Sequence, residues 1–552
     1  MPDGFVVSKQ EKDLHMEAFL SKLAAFNDAL NTFIWVKIGL ALLLGTGVLM
    51  SVATNFFQIT HLRHWWSKTF MGLFHADSHD KSDKRSVSQF QALCTALAAT
   101  IGTGNIAGVA AAIAIGGPGA VFWMWVAAFL GMMTNFSENV LGIYYRRRNK
   151  ENEWSGGPMY YLNEGLGSYR GCKTIGKVLS IFFAFSAILA SFGIGNMGQV
   201  NKIVKNVESA FFDNMHPVVL WGSGNSQVTL VALLIGVVLV IIGALVIIGG
   251  LHRIANVAEK VVPFMAALYV IGALIVCAAH ISLLPAAILS IFKFAFGIKA
   301  VAGGAAGTAI ATVITQGCKR GVFSNEAGLG SSVMVHSNSN AKEPVKQGIW
   351  GIFEVFADTM VVCTMTALVV LTSGAIDLQT GIIAAGTDDA TLVAKSFTSV
   401  FGACGGAFVA IAMFLFAFTT VLGWSHYGSK VIEYLFGLKA VKYYRVFFCL
   451  LIISGALLTS SLAWDISDTF NGLMLIPNLI GVISLMPLVR RITKKLHRAA
   501  HFEQRCRAHP VIRSGNPEGD GGSRRKGQLL KEQDVHRHPH AYLSVSMPAA
   551  GW

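Results

Sequence analysis

Long apolar stretches, separated by short polar ones, run through most of the chain. A helix needs about 20 mainly apolar residues to cross a bilayer, and eleven stretches reach that length. They cover residues 33–57, 88–115, 119–145, 176–202, 226–250, 255–281, 303–336, 347–373, 405–432, 441–461 and 466–490. Only 13% of the residues are charged, about half the share in a soluble protein. The sequence therefore predicts an all-α polytopic protein of the lipid bilayer and excludes a soluble enzyme.

The segments outside these spans have different compositions. Residues 1–32 place apolar residues at helical spacing among charged ones, which is typical of an amphipathic helix on a membrane surface. Residues 283–298 are apolar but too short to span, and they predict a re-entrant or interfacial helix. The tail, residues 499–552, is rich in Gly, Ser, Arg, His and Pro, so we expect it to be disordered.

The net charge of +14 comes from basic residues that follow every second predicted span. These basic stretches lie near residues 63–85, 146–150, 252–253, 342–346, 430–442 and 490–498. Because cytoplasmic loops of membrane proteins are rich in Lys and Arg, we expect the N-terminus outside and the C-terminus in the cytoplasm. The location is then the plasma membrane, which is the inner membrane in a bacterium, and nucleic acid is not an expected partner.

No motif of an enzyme or an ATP-driven pump is visible in the chain. The sequence has no GxxxxGK[ST], HExxH or GxSxG motif. The eight cysteines include no CxxC pair, so they predict buried thiols rather than a disulfide framework or a metal site. We therefore expect neither enzymatic activity nor an organic cofactor.

Two predicted spans contain a break. The second has Gly-Thr-Gly-Asn at 102–105, and the seventh has RGVFSNEAG at 320–328. Each break falls in the first of five spans, which occupy 88–281 and 303–490. An odd number of spans inverts the second repeat relative to the first, and paired broken helices in inverted repeats indicate a transporter binding site. The alternative is that these glycines only allow close helix packing.

Such breaks have a direct chemical consequence. The start of a half-helix presents free N–H groups and suits a carboxylate, whereas its end presents free carbonyls and suits an ammonium group or Na⁺. An amino-acid zwitterion fits between the two.

Three stretches closely resemble the alanine or glycine:cation symporter family, the sodium:alanine symporters. They are GTGNIAGVAAAIAIGGPGAVFWMWVAAFLGM (102–132), KRGVFSNEAGLGSS (319–332) and WSGGPMYYL (154–162). The resemblance covers about residues 33–490 and implies a leucine-transporter-like fold with one extra N-terminal helix. It also implies Na⁺-coupled uptake of alanine or glycine, with no obligatory protein partner. A proton-coupled or glutamine- or serine-transporting member, or a channel, stays an alternative.

The resemblance also implies site residues. The substrate-binding candidates are Thr103, Gly104, Asn105, Gln199, Asn325, Thr420 and Trp424. The candidate Na⁺ ligands are the carbonyls of Ala98 and Ile101 and the hydroxyl of Thr419.

Each of these side chains also has a purely structural interpretation. Thr419 and Thr420 could bond back to carbonyls of their own helix, Trp424 could lie in an interfacial aromatic belt, and Gln199 could join two helices.

Four acids in or near spans, Glu138, Glu326, Glu354 and Asp358, are functional candidates by default. Glu354 and Asp358 lie one helical turn apart and could relay protons, whereas Glu138 and Glu326 could pair with nearby Arg or Lys. The sequence alone does not assign any of the four to the site.

We expect Thr420→Val or Asn105→Leu to abolish Na⁺-stimulated alanine uptake while membrane insertion stays intact, because each removes a polar group from the predicted site. Radiolabelled alanine uptake measures the first effect, and the amount of protein in the membrane controls for the second. Uptake at the wild-type rate in both variants would remove these residues from the mechanism.

Overall fold

Helices make up nearly all of the structure. The computed structural model describes residues 9–74, 85–212, 218–221, 227–296, 306–381, 389–458 and 461–495, all within the compact unit Met1–Leu496. The tail predicted over 499–552 lies outside the described residues. The strands are two short antiparallel pairs: β1 (Arg147–Arg148) with β2 (Trp154–Ser155), and β3 (Val219–Trp221) with β4 (Val228–Thr229).

The N-terminal region is one continuous helical run. Helix α1 (Lys9–Thr32) passes through a π-helical turn at Phe33–Gly39 into α2 (Leu40–Ala53). The surface segment predicted for 1–32 and the span predicted for 33–57 are therefore not separated by a break. Short helices follow at Phe57–Thr60, Leu62–Lys68 and Met71–Phe74.

The next helices contain the first broken span. They are α3 (Gln89–Thr100), α4 (Val109–Gly116), α5 (Ala120–Tyr145), α6 (Lys173–Phe192), α7 (Gly198–Phe211), α8 (Leu230–Ile247), α9 (Gly250–Ala279) and α10 (Leu284–Ala295). A π-helical turn at Gly104–Gly108 leads into α4, and one at Gly193–Met197 joins α6 to α7. Short turns of helix lie at Pro158–Tyr160, Tyr161–Gly165, Leu166–Ser168 and Ile281–Leu283.

The remaining helices begin with the second broken span. They are α11 (Ala306–Asn325), α12 (Val333–His336), α13 (Pro344–Val355), α14 (Thr364–Thr372), α15 (Asp389–Phe401), α16 (Cys404–Phe436), α17 (Leu438–Ala456) and α18 (Ser461–Ser484). A π-helical segment, Phe356–Cys363, joins α13 to α14. Residues 486–495 are helical as well.

In the described residues, eight helices are long and apolar enough to cross a membrane, or nine when the bent pair Gln89–Thr100 and Gly104–Gly116 counts as one span. The sequence predicts eleven. The seventh and tenth predicted spans are present as α11 and α17, but Lys319 and Arg320 make α11 more polar, and α17 carries three basic residues. The chain is thus a multi-pass helical membrane protein, and the inverted five-helix repeats stay a prediction.

Small residues let these helices approach closely, which is how helices associate in a membrane. A Cβ placed on Gly47 of α2 would lie 2.6 Å from the Cβ of Leu130 on α5. A Cβ on Gly317 of α11 would lie 2.3 Å from the carbonyl oxygen of Ala120, also on α5. Glycines of α2 and α11 therefore each form a close contact with α5.

The two broken spans are tied together at one end. Val87, just before α3, accepts a backbone bond from Asn340 and donates one to Asn338. Ser88 then caps α3 through reciprocal bonds with Gln91.

The same segment is held from the end of α5. The Arg146 guanidinium donates to the carbonyls of Ser337 at 3.1 Å, Ser339 at 2.7 Å and Ala341 at 2.5 Å. We call residues 337–341, with Val87 and Arg146, the junction.

A polar contact fixes the N-terminal helical run to the rest of the fold. Lys319 of α11 forms an ion pair with Asp468 of α18 at 2.8 Å. Asn31 of α1 donates to the same carboxylate at 2.9 Å and accepts a bond from Lys319 at 3.2 Å. Three helices thus meet at one partly buried ion pair.

Gly47→Ala is expected to destabilise the protein by about 1–3 kcal/mol, because the added methyl group overpacks a tight helix contact. The measurement is the melting temperature of the purified protein in detergent. Gly45→Ala on the same helix is the matched control, because nothing lies within 4 Å of its added Cβ and alanine favours helix. Equal melting temperatures for the two variants would contradict the packing described here.

Candidate binding site between the broken helices

The first break follows the end of α3. Ile101 leaves the helical region with ψ at 88°, and the chain turns by 55° before it continues towards α4. A Cβ on Gly102 would lie 2.5 Å from the Thr420 hydroxyl oxygen. Glycine suits this position, because a larger residue would displace the Thr420 hydroxyl group.

The second break lies further along the chain than the sequence indicates. Residues 320–325, expected to be part of the break, are the last turns of α11, which ends at Asn325. Glu326, Gly328 and Gly330 then adopt left-handed backbone angles, with φ of 56°, 95° and 74°, before α12 starts at Val333. Left-handed residues cannot continue a right-handed helix, so the unwound stretch is 326–332.

A small cavity lies between the two breaks. Its walls are formed by residues of α3, the first break, the turn before α7, α7 itself, α11, the second break, α16 and α18. They are Ala99, Thr100, Gly102, Gly104, Ile194, Gln199, Phe323, Glu326, Leu329, Thr420, Trp424 and Asn471. The two interrupted spans therefore meet at one hollow.

Four of the predicted substrate residues line this cavity: Gly104, Gln199, Thr420 and Trp424. The Gln199 amide oxygen accepts a bond from the Thr103 backbone at 3.4 Å, and its nitrogen donates to the Ile194 carbonyl at 3.1 Å. Gln199 thus joins the first break to the helix beside it while facing the cavity.

Thr420 and Trp424 stand one turn apart on α16. The Thr420 hydroxyl donates to the Phe416 carbonyl at 2.9 Å, the bond within its own helix that its structural interpretation expects, but its oxygen keeps acceptor capacity. Trp424 is only 3% exposed, so it is not an interfacial belt residue. Its ring packs over Gly195, where a Cβ would lie 2.4 Å from the indole.

The other three predicted substrate residues are buried beside the cavity without lining it. Thr103 contributes the backbone bond to Gln199. The Asn105 oxygen accepts from the Gly102 backbone at 2.8 Å, and its nitrogen donates to the Asp358 carboxylate at 2.6 Å. Asn325 donates to Thr359 at 3.0 Å. These three support the breaks rather than touch the hollow.

The Asp358 carboxylate accepts hydrogen bonds from neutral donors on both broken spans. Its fully buried carboxylate accepts from Asn105, from Ser324 at 2.7 Å and from Thr359 at 2.8 Å. A charge in such a place is costly unless a cation or a proton neutralises it. The sequence left this acid unassigned, and the structure places it where the two broken spans touch.

The predicted Na⁺ ligands lie near the end of α3. Ala98 and Ile101 are buried and belong to the last turn, whose carbonyls have no partner within the helix. The Thr419 hydroxyl donates to Leu415 at 2.9 Å and Phe416 at 3.0 Å. Carbonyl and hydroxyl oxygens are neutral ligands that can coordinate a hard cation. Among the described residues, no three His, Cys, Asp or Glu side chains are grouped as a metal site.

The remaining acids form hydrogen bonds around the second break. Glu138 accepts from Asn478 at 2.5 Å, and Glu354 shares a 3.0 Å contact with the His336 ring. Within the described part of the chain, neither Glu138 nor Glu326 forms an ion pair with Lys or Arg. The pairing considered for them is therefore not seen.

Sequence reasoning missed several cavity residues. Glu326 lies inside the predicted break and is its only acid, so its position was the available signal. Asn471 lies in the eleventh predicted span without any distinguishing pattern, and only the packing of α18 brings it to the cavity.

The helix ends give the cavity a defined polarity. Gly104 stands at the start of the second half of the first span, where the helix dipole makes the potential positive. Thr100 and Asn325 stand at the ends of α3 and α11, where free carbonyls make the potential negative. A small dipolar solute with both charges matches this arrangement.

A multi-pass helical fold with a hollow between two interrupted spans is typical of a membrane transporter, and comparison with known proteins gives its family. The sodium:alanine symporter family model matches residues 20–509. The chain belongs to this family, whose members are cation-coupled amino-acid symporters and not enzymes.

Named relatives cover most of the chain. The sodium/alanine symporter AgcS of Methanococcus maripaludis is 42% identical over 469 residues, covering 85% of this chain and 96% of AgcS. The probable sodium/glutamine symporter GlnT of Bacillus subtilis is 35% identical over 460 residues, covering 83% and 87%. The structure of MhsT in complex with L-phenylalanine matches with a TM-score of 0.49 at 13% identity, covering 74% of this chain and 98% of MhsT.

Gly102→Ala is expected to abolish alanine binding, because its methyl group would collide with Thr420 and reach to within 3.5 Å of the Gln199 amide oxygen. The measurement is the alanine-dependent rise in melting temperature of the purified protein. Gly108→Ala in the same broken span is the control, because its added Cβ has nothing within 4 Å. Wild-type binding by Gly102→Ala would show that the cavity is not the substrate site.

Proposed function

We propose that this protein is a secondary transporter that couples inward Na⁺ movement to uptake of alanine or glycine by alternating access. Its location is the plasma membrane, with the N-terminus outside and the C-terminus in the cytoplasm. The observation that carries the proposal is the cavity between the two interrupted spans, whose walls include residues at the end of α3 and at both breaks. The leucine-transporter-like arrangement of two inverted repeats belongs to the same proposal.

The walls of the cavity favour a small side chain. Trp424, Phe323, Leu329 and Ile194 provide bulky apolar surface around a few polar groups. The substrate carboxylate would face the N–H groups near Gly104, and its ammonium group would face the carbonyl ends of α3 and α11. Alanine or glycine then fills the hollow without placing a polar side chain against the apolar wall.

Two places are suited to the coupling cation. One is the set of neutral oxygens of Ala98, Ile101 and Thr419, and the other is the Asp358 carboxylate. Asn105 bonds to both Asp358 and the Gly102 backbone, so a cation at Asp358 would act directly on the shape of the first break. This contact supplies a physical route from cation binding to substrate binding.

The electrical driving force is sufficient for accumulation. One elementary charge crossing a membrane at 100 mV supplies about 2.3 kcal/mol, before the Na⁺ concentration gradient is added. That amount corresponds to a concentration ratio of about 50-fold, because 1.4 kcal/mol is tenfold.

Two alternatives have specific support. GlnT, named for glutamine, is 35% identical to this chain, so a larger neutral substrate is the first. Asp358 could carry a proton instead of holding Na⁺, which would make the transporter proton-coupled.

Uptake of radiolabelled alanine, glycine and glutamine into proteoliposomes tests the proposal. Alanine and glycine are expected to accumulate above the external concentration only with an inward Na⁺ gradient. Uptake that persists without Na⁺ but collapses with a protonophore would favour proton coupling. Flux without uphill accumulation would indicate a channel and contradict the proposal.

Asp358→Asn is expected to raise the Na⁺ concentration for half-maximal alanine uptake by about tenfold or more, since interactions of charged groups are worth about 1.5–3 kcal/mol. Asp377→Asn is the control, because Asp377 does not line the cavity and its carboxylate accepts bonds from Gln379 and Thr380 of its own turn. An unchanged Na⁺ dependence in Asp358→Asn would remove this carboxylate from the coupling mechanism.

A further inference from the structure

Among the described residues that line the cavity, Glu326 is the only ionisable one. The other polar walls are the neutral groups of Thr100, Gln199, Thr420 and Asn471. Glu326 is 3% exposed, so its carboxylate is withdrawn from bulk water. The proposed function uses helix ends to recognise both charges of the substrate, and it leaves this carboxylate without a role.

The contacts of Glu326 are all with groups that carry no positive charge. The Ser331 hydroxyl donates to its carboxylate at 2.5 Å, and the side chains of Trp424 and Tyr427 lie beside it. Within the described part of the chain, no Lys or Arg forms an ion pair with it.

Burying a carboxylate in this way is expensive, and its hydrogen bonds to neutral groups offset only part of the cost. The C-terminal end of α11 immediately precedes it and raises the cost further, because carbonyl dipoles point towards the same region. A cation in the cavity would reduce both the cost of burying the carboxylate and its unfavourable interaction with the carbonyl dipoles of α11. Glu326 is therefore suited to bind one positively charged group in the cavity.

The backbone of Glu326 points to the same role. Its φ of 56° is left-handed, which is uncommon for a residue other than glycine. Such strain persists only where the surrounding structure fixes it, and it is concentrated at binding sites. The unwound stretch thus holds this carboxylate at the cavity at a local energetic cost.

We propose that Glu326 is the counter-ion for the ammonium group of the substrate and makes the site selective for amino acids over hydroxy acids. This assignment rests on the proposed function, because it takes the same cavity as the substrate site. Alanine brings an ammonium group to the carboxylate. Lactate has the same size and the same carboxylate but brings only a hydroxyl group.

The test compares L-alanine and L-lactate binding to the full-length protein in Na⁺ buffer, using ligand-dependent shifts in Tm to obtain each Kd. Glu326→Gln keeps the shape of the side chain and the strained backbone but removes the charge. We expect it to weaken alanine binding by about 30-fold or more, the effect of removing one partner of a buried charge pair, and to leave lactate binding unchanged. The wild type should prefer alanine, and the variant should lose that preference.

Glu138→Gln is the matched control, because Glu138 is fully buried but does not line the cavity. Its ratio of lactate Kd to alanine Kd is expected to equal that of the wild type. An unchanged alanine Kd in Glu326→Gln would overturn the assignment, and so would an equal loss of both ligands, which indicates a structural role. A variant that keeps alanine affinity but loses the pH dependence of uptake would make Glu326 a proton carrier and likewise overturn it.

Uptake by the wild type, measured in parallel, separates this assignment from the proposed function. If the wild type accumulates alanine and Glu326→Gln keeps the wild-type selectivity, only the counter-ion assignment fails. If the wild type binds alanine selectively through Glu326 but never accumulates it, the proposed function fails and the assignment stands.

Discussion

The structure depends on charge held without a cationic partner in a low-dielectric interior. The ends of α3 and α11 direct unsatisfied carbonyls towards one hollow, and Glu326 and Asp358 add buried carboxylates beside it. In a soluble enzyme, water would screen these groups, but here the bilayer and the packed helices exclude it. A positively charged group beside these carboxylates would therefore lower the cost of their burial.

The fold could be predicted where a pattern depends on local hydrophobicity. Apolar stretches gave the helices and the glycine-rich sequence at 102–105 gave the first break, because both signals are properties of neighbouring residues. The run from α1 into α2 and the position of the second break were not recoverable in this way. Residues 320–325 contain the same glycine, serine and asparagine that favour breaks, yet tight packing of α11 against α5 keeps them helical.

The site was predicted only in part, because the orientation of each polar side chain decides whether it lines the cavity. Gly104, Gln199, Thr420 and Trp424 line the cavity, but a sequence does not show which way a polar side chain turns. Asn105 donates to Asp358, and Asn325 donates to Thr359. Both residues therefore support the breaks without lining the cavity. Asn471 reaches the cavity from a helix far along the chain, and only tertiary packing could reveal it.

The junction has a mechanical consequence. Val87 bonds to the segment that follows α12, and Arg146 grips the same segment by three carbonyls. The start of α3, the segment that follows α12 and the end of α5 are thereby held together at one place. Separating the start of α3 from the segment after α12 would break the two Val87 bonds, and moving that segment away from the end of α5 would break the three Arg146 bonds. A displacement of residues 337–341 would therefore break all five bonds together, as one cooperative step.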